Sequence, residues 1–139
     1  MNNKGFTLVE ILAVIVILGL LTTLAAVAYS QYIDKTKDKA YLVLAESAVG
    51  AATEYNMDHF GAETVNLQEL VELEYLENLN DPNYKGHQCS GNVKIIHETN
   101  YDGIDTEKYE VTLLCSKYSF KYCYPQRKTV GKNASCPEE

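Results

Sequence analysis

The residues of this chain best placed to do chemistry stand at its start. In "KGFTLVEILAVIVILGLL", residues 4 to 21, one carboxylate, Glu10, stands directly ahead of a run, Ile11 to Ala28, that carries no charge. An ionisable group in a membrane-spanning helix costs about 2.5–3.5 kcal/mol at mid-span, and less near an end where the side chain reaches the interface. Glu10 is therefore tolerable in a plain membrane anchor but has no purpose there. A cut between Gly5 and Phe6 would give it one. The new amino group of Phe6 is a cation at the tip of an apolar helix, and Glu10 of a neighbouring copy can pair with it as helices stack. In a low-dielectric core the pair attracts strongly while either charge alone is penalised. Glu10 would then set packing register, as a buried polar residue does in a coiled coil.

The element that must position these groups is the apolar run itself. Its 18 uncharged residues, extended by Phe6–Val9 and by Tyr29–Ile33, are long enough to cross a bilayer as a helix. A secretory signal is a competing reading, with small residues at Ala25-Ala26-Val27-Ala28 for a cleavage site. The polar leader Met1-Asn2-Asn3-Lys4 is short for one, and the apolar run exceeds the usual signal core.

"KGFTLVE" resembles the processing signal of type IV pilins and of the pilin-like subunits of type II secretion and competence machines. The match covers residues 4 to 33: a basic residue and Gly before the cut, Phe6 after it, Glu10 fifth in the mature chain, then Gly19, Tyr29 and Tyr32. The resemblance implies cleavage after Gly5 by a prepilin peptidase and N-methylation of Phe6. It implies a subunit that waits in the cytoplasmic membrane as a single-pass protein, its C-terminal body outside. Membrane assembly machinery would then pack it against other pilin subunits into a pilus or pseudopilus serving adhesion, motility, secretion or DNA uptake. Two features depart from the pattern. Val27 stands where many such chains have proline, so the usual kink is lost. Lys35, Lys37 and Lys39 follow the span, partly offset by Asp34 and Asp38, and on charge alone would favour the opposite orientation.

Beyond Ile33 the chain becomes amphipathic. Tyr41, Leu44, Ala45, Ala48, Ala52 and Tyr55 recur at helical spacing, predicting one helix from Phe6 to Phe60 that stops at Gly61. "NLQELVELEYL", residues 66–76, predicts a second helix capped by Asn66 with Glu69 closing the capping box, and with Leu67, Leu70, Val71 and Leu73 inward. "CSGNVKIIH" (89–97) and "KYEVTLLC" (108–115) alternate like strands. Joined through "NYDGIDT" so that paired numbers sum to 204, they place Val93 opposite Val111, Ile95 opposite Tyr109, Cys89 opposite Cys115 and Lys94 opposite Glu110. A one-residue slip would scramble this sorting. "KYSFKYCYP" predicts a third strand ended by Pro125. The fold class is α+β: a leader (1–5), a membrane or filament-core helix (6–28), its amphipathic continuation (29–60) and a small head (61–139) with an antiparallel sheet.

Four cysteines, Cys89, Cys115, Cys123 and Cys136, all lie in the head. Their even number outside the cytosol reads as two disulfides. The strand register favours Cys89–Cys115, leaving Cys123–Cys136 to tie the tail; four cysteines also allow other pairings. No close C-x-x-C pair points to zinc.

The net charge is −7, of which residues 1–39 hold about +1 and the remainder about −8. An acidic body disfavours nucleic acid as a partner, since phosphate neutralisation needs clustered cations. The one place for a DNA contact is the tail around Arg127, Lys128 and Lys132, and Gln126-Arg127-Lys128 reads as a solvated loop. His59, His87 and His97 are scattered. Asp102, Asp105 and Glu107 around Gly103 fit a hairpin turn better than a calcium loop. No catalytic residue set, metal site or cofactor motif emerges. The expected function is that of a non-catalytic filament subunit, major or minor; the small body suits a minor pilin or a pilin-like protein of a secretion or DNA-uptake machine. The alternative is a membrane-anchored or secreted binding module that forms no filament.

Overall fold

The computed structural model describes residues 4–138, and within them every side chain except those of Ser30, Asp34 and Lys35. The leader residues Met1–Asn3 and the charges expected at Asp34 and Lys35 lie outside the described residues. The chain divides into two units, one ending at Asp38 and the other running Lys39–Glu139.

A single helix, α1 (Leu8–Asp58), supplies the first unit and enters the second. It starts two residues later than the expected Phe6 because Thr7 serves as its cap, and it runs unbroken through Val27. Its end at Asp58 also comes two residues before the expected Phe60. The chain then leaves through Gly61 at φ +88°, a left-handed conformation that only glycine adopts without steric cost.

In the second unit, β1 (Thr64–Asn66) leads directly into α2 (Leu67–Glu72). β2 (Ser90–Thr99), β3 (Asp105–Leu114), β4 (Ser119–Tyr124) and β5 (Lys128–Gly131) follow. The five strands form one antiparallel sheet in chain order. β2 and β3 pair in the expected register, from Ser90 with Leu114 to Thr99 with Asp105. The turn between them is closed by Gly103 N–H to the Asn100 carbonyl at 2.8 Å.

The sheet turns Val65, Val93, Ile95, Tyr109, Val111, Leu113, Phe120 and Tyr122 to one face, all buried. Against them α1 sets Tyr41, Ala45, Ala48, Val49, Ala51 and Ala52, its run of small side chains forming one cluster with the sheet face. Period-two and period-3.6 patterns thus meet on one core.

Several expectations need correction. α2 is 6 residues long rather than 11. Asn66 caps it by accepting from Gln68 N–H at 2.9 Å, but Glu69 turns to the Tyr55 hydroxyl at 3.4 Å. Leu67 and Leu70 are buried, whereas Leu73, at the C-cap, is exposed. The helix stops there as Glu74 takes φ +66°, and the buried leucines that follow are Leu76 and Leu79. Lys94 stands opposite Glu110, yet the ion pair of Glu110 is with Lys121 at 3.7 Å. Two strands escaped the sequence reading: β1, and β5, which begins at Lys128 inside the stretch expected to be loop.

Candidate functional site: a bare apolar helix and a stapled head

In the first unit, the start of α1 is a reciprocal cap. Thr7 Oγ1 accepts from Glu10 N–H at 3.3 Å, and Glu10 Oε2 accepts from Thr7 N–H at 3.0 Å. This is a capping box: each side chain satisfies a backbone donor that the helix leaves unpaired. The carboxylate also faces the positive end of the helix dipole. Glu10 therefore has a local partner in the uncut chain, a role the sequence reading missed although Thr-x-x-Glu ahead of an apolar run is its usual signature.

Past Glu10 the helix is apolar on every side, with a mean hydropathy of 2.8 over its best window and none of that window buried. Ile11, Leu12, Ile15, Leu18 and Leu21 are all exposed. From Leu8 to Ala28 the rise is about 31 Å, the thickness of a hydrocarbon core. The polar groups within it are already spent. Thr22 Oγ1 donates to the Leu18 and Gly19 carbonyls at 2.9 Å each, and Thr23 Oγ1 to the Leu20 carbonyl at 2.7 Å. A helix whose hydroxyls bond its own backbone offers lipid, or a like helix, only apolar contact.

In the second unit the structure joins Cys89 to Cys115 and Cys123 to Cys136. The first bond sits one step beyond the β2–β3 ladder, where the register puts the two residues opposite. The second pulls the tail over the outer face of the sheet, burying Cys123 completely. Lys121 Nζ holds that tail at the Ala134 carbonyl (2.9 Å), and Gln126 at the Pro137 carbonyl (3.2 Å).

Beside the first disulfide lies a buried carboxylate. Asp81 accepts from the Tyr41 hydroxyl at 2.8 Å and from Asn83 N–H at 3.0 Å through Oδ1, and from Ser116 N–H at 3.2 Å through Oδ2. One side chain thereby links α1, its own loop and the β3–β4 connection. Burial pushes this carboxyl up, but the donated hydrogen bonds from Asn83, Tyr41 and Ser116 outweigh it and hold it below the usual carboxylate value. "NDPNYKG" reads in sequence as a chain break; the Asp81–Asn83 turn is what an aspartate before proline signals. Asp81, Cys89 and Cys115 cluster closely enough to suggest a metal. With both sulfurs consumed in a disulfide, no thiolate is left to ligate one.

At the other end of the sheet Glu107 accepts from Asn56 Nδ2 at 2.9 Å and from the Tyr109 hydroxyl at 2.5 Å, with His97 at 3.6 Å. Burial first, then the adjacent Glu107, raises the Tyr109 phenol above its ordinary value. His59 stacks on Tyr55 at 4.3 Å, and His59, His87 and His97 are all exposed. Arg127 occupies the β4–β5 turn at φ +56°, and Arg127, Lys128 and Lys132 are exposed.

Residues 1–26 match the family described as the prokaryotic N-terminal methylation motif. Over 57 residues the chain is 41% identical to the type IV major pilin protein PilE1 of Neisseria gonorrhoeae, which is 41% of this chain and 34% of that protein. The fimbrial protein of Neisseria meningitidis serogroup B is matched to the same extent, 41% identity over 41% of this chain and 34% of the other. The match thus spans about a third of these pilins' length. The ComG operon protein 3 homolog of Bacillus licheniformis is 33% identical over 91 residues, 65% of this chain and 93% of that protein. No solved structure gives a significant match. On these similarities, together with the apolar helix and the disulfide-bonded antiparallel head, the chain belongs to the type IV pilin family, pseudopilin-like members included.

Proposed function

We propose that this chain is a non-catalytic precursor subunit, cut between Gly5 and Phe6 by a prepilin peptidase, methylated at Phe6 and packed helix against helix into a pilus or pseudopilus. Before assembly it sits in the cytoplasmic membrane, with residues 6–28 spanning, residues 29–60 leading out and the head, 61–139, outside. The observation that carries this reading is the first part of α1: apolar all round, its hydroxyls internally bonded, none of its apolar window buried. Such a surface needs lipid first and like helices afterwards. Phe6 supplies the cation and Glu10 the counter-charge.

The capping box refines the test. A glutamine at position 10 keeps the reciprocal cap, which Gln serves as well as Glu, but removes the charge. Glu10→Val removes both. Protein from the producing cell should begin at methylated Phe6 by mass spectrometry. Both variants should be processed and inserted normally yet fail to enter filaments. Assembly of Glu10→Gln at the parent level would refute the charge-pairing role. A chain beginning at Met1, or near Tyr29, would end the filament reading and favour a plain anchor or a secreted body.

A further inference from the structure

At the end of the head where α1 stops, a cavity of about 320 Å³ is lined by Phe60, Gly61, His97, Asp105 and Glu107. Phe60 is 91% exposed, a whole aromatic face spent on no intramolecular core. Two carboxylates share the cleft with it. Asp105 accepts from the Thr99 hydroxyl at 2.7 Å and is in none of the ion pairs of the described residues. An aromatic face beside carboxylates is a setting for a planar cation, which stacks on the ring while its N–H groups meet the oxygens.

The chain carries one arginine, Arg127. It stands exposed at the β4–β5 turn in a left-handed conformation that side chains other than glycine rarely take. The ion pairs of the described residues, His97–Glu107, Lys108–Glu98 and Lys121–Glu110, leave it out. Within its own unit it borders a different cavity, with Glu46, Val49, Tyr122 and Tyr124. Residues 1–38 carry three lysines and three acids, so the unit Lys39–Glu139 holds the whole net charge of −7. Arg127 and Lys128, with Lys132 close behind, form a cationic turn on that acidic body.

We propose that the Phe60–His97–Asp105–Glu107 cleft receives Arg127 of a second copy of this chain. Charge complementarity names the occupant. The two patches are different surfaces of one unit, so a single contact leaves a cleft free on one copy and an Arg127 free on the other. Repeated head to tail, it builds an open helical array when the rotation does not close. The inference rests on the filament reading and assigns it a contact between heads.

The test uses the full chain in the cell that processes it, reading filament mass released by shear against total subunit. Asp105→Lys and Arg127→Glu should each lower filament recovery roughly tenfold, as the loss of one close interfacial charge pair does. The double exchange should restore it to within about threefold, since the pair is re-formed with its signs reversed. Phe60→Ala, which touches no core, should lower recovery as well. Mass spectrometry of unreduced protein, showing both native disulfides, establishes that each variant folds. Single variants that assemble like the parent, or a double exchange no better than either single, overturn the Arg127 contact while the filament reading stands. A correctly processed parent chain that yields no filament overturns both.

Discussion

Asp81→Ala should be among the most damaging single substitutions in the head that leave both disulfides and the apolar core in place. The change deletes the acceptor for three donors: the Tyr41 hydroxyl, Asn83 N–H and Ser116 N–H. The donors do not suffer equally. Tyr41 is 4% exposed, so water cannot replace the carboxylate, and leaving that hydroxyl unpaired costs about 1–3 kcal/mol. Asn83 is half-buried and Ser116 exposed, so their N–H groups rehydrate and lose about 0.5–1 kcal/mol each. The total is about 3 kcal/mol. With a urea dependence of about 1–2 kcal/mol per molar for a domain of this size, the unfolding midpoint should fall by about 1.5–3 M. The 11 tyrosines, with no tryptophan, make tyrosine fluorescence of the detergent-held full chain the natural signal. Tyr41→Phe should destabilise less, and in the double variant the two losses should fall short of their sum, because they remove one shared bond. The pH dependence has a fixed sign. The carboxyl is held below its unfolded value, so its contribution is fully present above about pH 4 and is lost as pH falls through the lower folded value. A midpoint for Asp81→Ala within about 0.3 M of the parent at pH 7, or equal acid sensitivity in the two proteins, would refute the account.

Other outcomes follow from the same contacts. The Tyr41, Tyr109 and Tyr122 phenols are raised, by burial first and then by a hydrogen bond to Asp81 or Glu107 or by the nearby Glu46 charge. Their contribution is therefore complete below about pH 10 and lost as pH rises through the higher folded values, which absorbance at alkaline pH should show as late, cooperative ionisation. Gly91→Ala should cost more than about 1 kcal/mol in urea unfolding, because Gly91 sits at φ +139° and a methyl there would run into the backbone carbonyl of Thr112 across the ladder. Removing the Cys89–Cys115 bond, which closes a separation of 26 residues, should cost about 3.5 kcal/mol by loop entropy; removing Cys123–Cys136, at 13 residues, about 2.9 kcal/mol. The second loss should also expose the tail to protease while leaving the β2–β3 hairpin protected, and a reversed order would contradict the assignment of Cys123–Cys136 as the tail clip.

What could be read from the sequence was whatever repeats. The β2–β3 register was legible because Val93, Ile95, Tyr109 and Val111 alternate strictly, and only one alignment keeps them together while bringing Cys89 to Cys115. The amphipathic part of α1 was legible from Tyr41, Ala45, Ala48 and Ala52. The short elements were not. β1 has 3 residues and β5 has 4, too few for a period to declare itself, and β5 lies among charges that suggest solvent. Buried polar groups were invisible for a different reason. Asp81 and Asn56 owe their burial to partners 40 and 51 positions away, Tyr41 and Glu107, and no local window contains both. The Thr7–Glu10 box, by contrast, is local and legible: Thr-x-x-Glu stands directly ahead of an apolar run.

The strand order has a consequence for how the head comes to be made. Each strand of the sheet pairs with the one that precedes it in the chain, so no strand has to wait for a later segment to be inserted between it and its neighbour. A chain that enters an oxidising compartment N-terminus first presents β1 to β5 in that same order, and connections this local close quickly. When Cys115 emerges, Cys89 is the sole earlier thiol, and the growing hairpin already holds it opposite. By the time Cys123 and Cys136 follow, that pair can be closed, and they are left only each other. A meander topology thus protects the disulfide pattern through timing, with no need for a later step of exchange among four thiols.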